Sequence, residues 1–283
     1  MGEGGAIVGQ RLNAGAEFLG RTPPDTDIVV TIEHEVAIIG DTLTTLPFIH
    51  HLHGIFGQPI HVAGEFSRPV RDLVSETVIS FATPTRPKSI PFTLNIIAAR
   101  DIASPIGLHA CQGFYLLAGM PLPRLPMRPD LRAEPCGLPA GVVIAPFITT
   151  ERNQPDNHDR AWYADRWRQV IHYLTAERGI PNVYLIGSSD DDRSLFKFPG
   201  LRHVINRPLP EILDVMRRAA LCITLDNGPS HLAHFGGVSK HLLLYPSLHR
   251  PNLVRNPAGL SIYKSIVDIS VNEVIAGIER LLN

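Results

Sequence analysis

The stretch "LDNGPSHLAHFGG", Leu225 to Gly237, decides how this chain is read. An apolar run, "AALCITL", leads directly into Asp226; Gly228, Pro229 and Ser230 then break the chain, and "HLAHF" resumes apolar residues at helical spacing. A buried strand that ends in an acid and turns at once into a helix is the basic step of an α/β fold. A helix starting just after Gly228 presents N–H groups from about Ser230 and His231, together with the positive end of its dipole, and such a helix start can hold an anion. Gly228 lets a phosphate come close to the backbone, and Pro229 suits a first turn, where its missing N–H is no loss. The plainer reading is that Asp226 or Asn227 caps the helix, and the local sequence by itself favours the cap.

The same alternation runs outward in both directions. Upstream, "DIVVTI" predicts a strand, and "DTLTTLPFIHHLHGIF" a helix carrying Leu43, Leu46, Ile49, Leu52 and Ile55 on one face. "PIHVAG" and "ETVISF" predict short strands with "FSRPVRDLV" as a short helix between them, while "FTLNIIAAR" fits either a strand or a helix. "PIGLHACQGFYLLAGMPLP" predicts a helix ending at Gly119 and Pro121, and "PLPRLPMRPDLRAEPCGLPAG" is too rich in proline for regular structure. After it the order restarts: "GVVIAPF", "NVYLIGS", "LCITLD" and "HLLLYP" as strands, with "WYADRWRQVIHYLTAERG", "LPEILDVMRRA", "PSHLAHFGG" and "SVNEVIAGIERLL" as helices.

Strands and helices of these lengths predict two Rossmann-like domains with mainly parallel sheets facing a central cleft. The expected division is a loosely held tail over 1–27, a first domain over 28–138 that includes the proline-rich linker, and a second over 139–283. In such sheets ligands sit at the carboxyl ends of the strands. That points to three loops: the one around Gly40 and Asp41, the one from Pro146 to Trp162, and the opening stretch.

Composition narrows the function classes. The 283 residues, 44% hydrophobic and 19% charged, can build two globular cores, and a net charge of -1 supplies no basic field for nucleic acid. Cys111, Cys136 and Cys222 have no C-x-x-C spacing, which argues against a disulfide framework or a zinc knuckle and for reduced thiols. No apolar stretch is long enough to span a bilayer, and "MGEGGAIVGQRLNAGAEFLG" lacks a basic start and an apolar middle, so a cytoplasmic protein is expected. His50 and His53 share a helix face, but no nearby acid or cysteine completes a metal set, and no metal is expected. "SSDDDRS" after Gly187 lacks the alternating oxygens of a calcium loop and reads as a solvated loop beside a nucleotide pocket. Neither G-x-x-x-x-G-K-[ST] nor G-x-S-x-G occurs, against a P-loop ATPase or an α/β-hydrolase.

Two segments together resemble one known family. "RRAALCITLDNGPSHLAHFGGV" is similar to the heptosyltransferase signature (glycosyltransferase family 9), a strand ending in Asp-(Ser/Thr/Asn)-Gly-Pro-x-His-Leu-Ala, matched by Asp226, Gly228, Pro229, His231, Leu232 and Ala233. In "IIGDTLTTLPFIHHL", Gly40, Asp41, Leu46 and Pro47 resemble the Gly-Asp-x-x-x-x-x-Pro signature of the family's first helix. "GFYLLAGMPLP", "VVIAPFITTERN" and "DRAWYADRW" are weaker matches, and the resemblance runs from Ile28 to Asn283.

The resemblance implies the GT-B fold, an acceptor held by the first domain and a nucleoside-diphosphate sugar held by the second. ADP-heptose is a candidate donor, and a saccharide, lipid-linked molecule or protein a candidate acceptor, with no metal or other cofactor. Lipopolysaccharide biosynthesis, in the cytoplasm or at the inner face of a membrane, is the setting it implies. Asp41 is then the general base of an inverting transfer, and the helix at Gly228 receives the leaving diphosphate. Arg160, where the family carries lysine, adds a cation, with Arg152 as its competitor, and Thr149 and Thr150 add hydroxyls. Gly187, Asn227, Pro229 and Ser230 complete the donor side. Asp226 shapes the loop and the sugar pocket, and His231 either orients a phosphate or packs as a first-turn histidine. The alternatives are a catalytically silent GT-B module that binds a nucleotide sugar or a partner, and a sugar-nucleotide epimerase or hydrolase.

Overall fold

The computed structural model describes residues 25–33, 38–124, 127–147, 161–188, 197–245 and 259–283. The chain forms two compact units, Met1–Arg132 and Ala133–Asn283. This division and the one expected after Leu138 both lie in the proline-rich run, which carries no helix or strand among its described residues.

The first unit is a parallel sheet ordered β3-β2-β1-β4. β1 (Thr26–Glu33) lies between two partners, and Ile28, Val30 and Ile32 are buried. A strand covered on both sides needs this near-continuous apolar run. α1 (Ile39–Phe56) follows, then β2 (Ile60–Gly64), α2 (Arg68–Arg71), β3 (Ile79–Ser80) and β4 (Lys88–Asn95). α3 (Ile96–Ala103) and α4 (Ala110–Leu117) close the unit.

Three expectations change here. Gly40 and Asp41 stand inside the first turn of α1 rather than in a loop. Asp41 near the helix start is favoured by the dipole. The ambiguous "FTLNIIAAR" is both strand and helix, divided at Asn95, whose side chain accepts the Ala98 N–H at 2.8 Å and caps α3. The strand expected over "ETVISF" shrinks to Ile79–Ser80, because Ser75 binds the N–H groups of Thr77, Val78 and Ile79 and winds the chain into turns instead.

The second unit is a parallel sheet ordered β10-β9-β8-β5-β6-β7. Its elements are β5 (Val142–Ala145), α5 (Ala164–His172, continued by a π-wound turn over Tyr173–Glu177), β6 (Val183–Gly187), β7 (Leu201–Ile205) and α6 (Leu209–Arg218). β8 (Leu221–Leu225), α7 (Gly228–Phe235), β9 (His241–Tyr245), β10 (Leu260–Tyr263) and α8 (Val271–Leu282) complete it. One core joins Val142, Ile144, Val183, Leu185, Leu221, Ile223 and Leu242 of the sheet to Trp167, Val170 and Ile278 of the helices. β7 and β10, the edges, were not legible as strands, because half-exposed edge strands need no apolar run. No described helix is long and apolar enough to cross a membrane.

Both sheets reverse direction once. From β1 the chain builds outward to β2 and β3, then returns to β1's other side for β4; from β5 it builds to β6 and β7, then returns for β8. The two reversals lie between β1 and β4 and between β5 and β8, and in open α/β sheets the carboxyl side of such a reversal is where ligands bind.

Candidate functional site

In the first unit, Asp41 is brought to the reversal by α1, which follows β1. Its side chain is 3% exposed. Arg100 of α3, which follows β4, donates from Nη2 to Asp41 Oδ1, so an ion pair spans the two elements that leave the reversal. The first half of α1 is buried from Gly40 to Ile49, and its threonines turn their hydroxyls back onto the helix. Thr42 Oγ1 donates to Ile38 O at 2.9 Å, Thr44 Oγ1 to Gly40 O at 2.8 Å and Thr45 Oγ1 to Thr42 O at 2.7 Å. Thr42 Oγ1 also accepts the Ser67 N–H at 3.1 Å, which holds the start of α2 against the first turn of α1. Pro47 lies inside α1 and offers no N–H to the turn before it.

His50 and His51 lie further along α1. Burial pushes the His50 imidazole down to about 4, against the pull of Asp130, and burial lowers His51 as well. His51 meets the Tyr115 ring edge-on at 5.3 Å. His53 Nδ1 is 2.9 Å from Gln58 O.

In the second unit, β8 delivers Asp226 and Asn227 to the reversal. Asn227 caps α7 with a reciprocal set of bonds: its Oδ1 accepts the Ser230 N–H at 3.1 Å, and Ser230 Oγ accepts the Asn227 N–H at 3.2 Å. Its Nδ2 donates to Ala145 O at 3.0 Å and Phe147 O at 2.9 Å, at the end of β5. One side chain thus joins the two strands that flank the reversal. The Ser230 amide, expected to face a ligand, is engaged by this cap, and the His231 amide lies 3.4 Å from Asn227 O. Among the described residues the Gly228 N–H meets no acceptor. Pro229 occupies the first turn of α7, Asp226 is half-buried, and His231 is buried at 8% exposure.

Gly187 ends β6, next to β5 in the sheet, and its carbonyl accepts the Asn206 N–H at 3.2 Å. Thr149, Thr150, Arg152 and Arg160 lie outside the described residues, as does the acidic run that follows Ser188. Trp162 is described and buried; its Nε1 donates to Ile269 O at 2.9 Å, and its ring meets Trp167 edge-on at 5.0 Å. It anchors the chain after Arg160 to the segment before α8.

Beneath α7, His241 and Thr224 form a buried polar pair, with His241 Nε2 2.8 Å from Thr224 Oγ1. Burial pushes the His241 imidazole down to about 3, with neighbouring His234 acting in the same direction.

The sequence reading missed Arg100 and the bridging role of Asn227. The signal for Arg100 was the Asn95 cap with a basic residue in the following turns; the bridge of Asn227 depends on β5 lying beside β8, which no local pattern records.

No family profile and no curated protein sequence matches the chain. Solved structures do. Escherichia coli ADP-heptose lps heptosyltransferase II is 14% identical, with 90% of this chain and 98% of that one aligned at a TM-score of 0.59. E. coli heptosyltransferase WaaC with ADP is 15% identical over 89% of this chain and 97% of that one, at 0.61. A glycosyl transferase family 9 structure from Veillonella parvula is 16% identical over 90% and 97%, at 0.59. The fold is therefore α/β of the GT-B type, like that of the heptosyltransferase structures.

Proposed function

We propose that the protein is an inverting glycosyltransferase that moves a sugar from a nucleoside-diphosphate sugar to a hydroxyl acceptor. The observation that carries this reading is the placement of Asp41, buried and held by an arginine at the reversal of the first sheet, in a fold aligned almost end to end with heptosyltransferase structures. Asp41 takes the proton of the acceptor hydroxyl, whose oxygen bonds to the anomeric carbon. The nucleoside diphosphate leaves with the electron pair of the broken bond. Its negative charge is drawn to the start of α7, where Gly228 offers a backbone N–H and the helix dipole adds positive character. Asp226 borders the sugar, since a carboxylate repels the diphosphate but accepts hydroxyl hydrogens. Gly187, at the end of β6, and His231, in α7, belong to the same donor side, and Thr149, Thr150 and Arg160, the last standing where the family carries lysine, supply further donors. ADP-heptose is the first donor to try, because the WaaC structure holds ADP. The reading puts the reaction in the cytoplasm or at the inner face of a membrane, on a saccharide, lipid-linked or protein acceptor.

The test is transfer from ADP-heptose and other nucleotide sugars, with products read by mass spectrometry, for wild type and Asp41→Asn. Asp41→Asn is expected to lose about 10²- to 10⁴-fold in kcat, the usual worth of a general base, while ADP affinity stays near wild type. Donor binding with neither transfer nor donor hydrolysis in wild type would leave a silent binding module as the answer.

A further inference from the structure

We propose that Arg100 is the positioning residue of the base, aiming the Asp41 carboxylate at the acceptor hydroxyl; this rests on the transferase reading. An ionised carboxylate at 3% exposure is costly unless a counter-charge and hydrogen bonds accompany it, and the Arg100 guanidinium supplies both. The pair joins α1 to α3, which leave the sheet from opposite sides of its reversal, so the contact sits where a ligand of this unit would lie.

The aim of Arg100 is set by its surroundings. Asn95 caps α3 and fixes where the helix starts, with its Nδ2 3.5 Å from Glu33 Oε2 at the end of β1. Ala99, the residue before Arg100, lies against Gly113 of α4 so closely that a Cβ there would be 2.1 Å from the Ala99 carbonyl oxygen. The Arg100 side chain is 29% exposed, and its guanidinium meets a carboxylate that is nearly buried. A planar fork orients a carboxylate, whereas an ammonium only attracts it. As the acceptor proton passes to Asp41 and the glycosidic bond forms, Arg100 keeps its own proton. It holds the carboxyl group in place and takes no part in bond making.

A purely structural staple between α1 and α3 would give the same contact, so the test needs a readout that a staple does not move. Arg100→Met and Arg100→Lys are compared with wild type in transfer, with donor-site integrity checked by ADP binding. Arg100→Met is expected to lose about 100-fold in kcat, at the lower end of what a general base is worth, with ADP affinity unchanged and partial recovery on adding guanidinium ion. Arg100→Lys falls between the two. If Arg100→Met does not fold, Arg100→Gln serves in its place. A wild-type kcat in the neutral variant, or a lowered kcat that guanidinium ion does not restore in part, overturns the proposal. A wild type that binds ADP but transfers nothing sinks the transferase reading, and this proposal with it.

Discussion

Asn227 serves two elements with one side chain. Its oxygen caps α7 through the Ser230 amide, and its NH₂ ties that cap to Ala145 and Phe147 of the neighbouring strand's end. Only an amide does both, since it carries an acceptor and two donors. Asn227→Ala removes the cap and leaves two carbonyls without their donor, which should cost about 2 kcal/mol or more in urea unfolding. Asn227→Asp separates the two jobs: the cap survives, but a carboxylate faces two carbonyl oxygens. Asp is therefore expected to destabilise although it is as good a cap as Asn in isolation, and an unchanged urea midpoint for Asn227→Asp would show that the tie to β5 carries nothing.

At the scale of elements, the packing of α3 on α4 sets where Arg100 points. Gly113 is required there because any Cβ would overlap the Ala99 backbone. Gly113→Ala should cost about 1 to 3 kcal/mol, the usual penalty of overpacking, and should lower kcat as well, because α3 must shift and Arg100 shifts with it. Gly119 offers a control with the opposite cause. It has φ +65° and open space around a Cβ, so Gly119→Ala strains the local backbone without displacing α3. Equal stability and activity for Gly113→Ala and wild type would contradict the close approach. α1 is held differently: its buried threonine hydroxyls return to its own carbonyls, and Gly57 closes it in the left-handed region with its N–H on His53 O at 2.8 Å.

For the molecule as a whole, each unit hides a histidine whose imidazole burial keeps neutral, His50 in the first and His241 in the second. Both sit below their ordinary value of 6.5, so as pH falls through 6.5 the unfolded chain takes up protons that the folded chain refuses. Stability is complete above 6.5 and drains as pH falls, until about 4 for His50 and about 3 for His241. Each proton taken up only on unfolding costs about 1.4 kcal/mol per pH unit. The depressed carboxylates act lower: Asp27, where burial pushes upward but the Arg86 and Thr85 amides outweigh it, and Glu273, pushed down to about 2 by Lys264 and Ser270, contribute fully above their ordinary values and lose that contribution as pH falls from there. Urea midpoints between about pH 7 and about pH 5 therefore report the histidines, and His241→Gln should flatten that slope. An unchanged slope in His241→Gln would mean that His241 takes up its proton without unfolding.

What the sequence determined by itself is local: "AALCITLDNGPSHLAHF" carries a strand, a turn and a helix in its own spacing, and "GDTLTTLP" marks the start of α1 with its acid. Central strands were legible because burial on both faces demands continuous apolar residues, and the α/β class followed from their alternation with helices. The edge strands β7 and β10 were not, because a half-exposed edge makes no such demand. Only the tertiary structure decided that β4 lies beside β1 and β8 beside β5, and with that the pairing of Asp41 with Arg100 and of Asn227 with Ala145. Those partners are separated by 59 and 82 positions along the chain. Strand order is fixed by long-range backbone pairing and core packing, which no window of sequence contains.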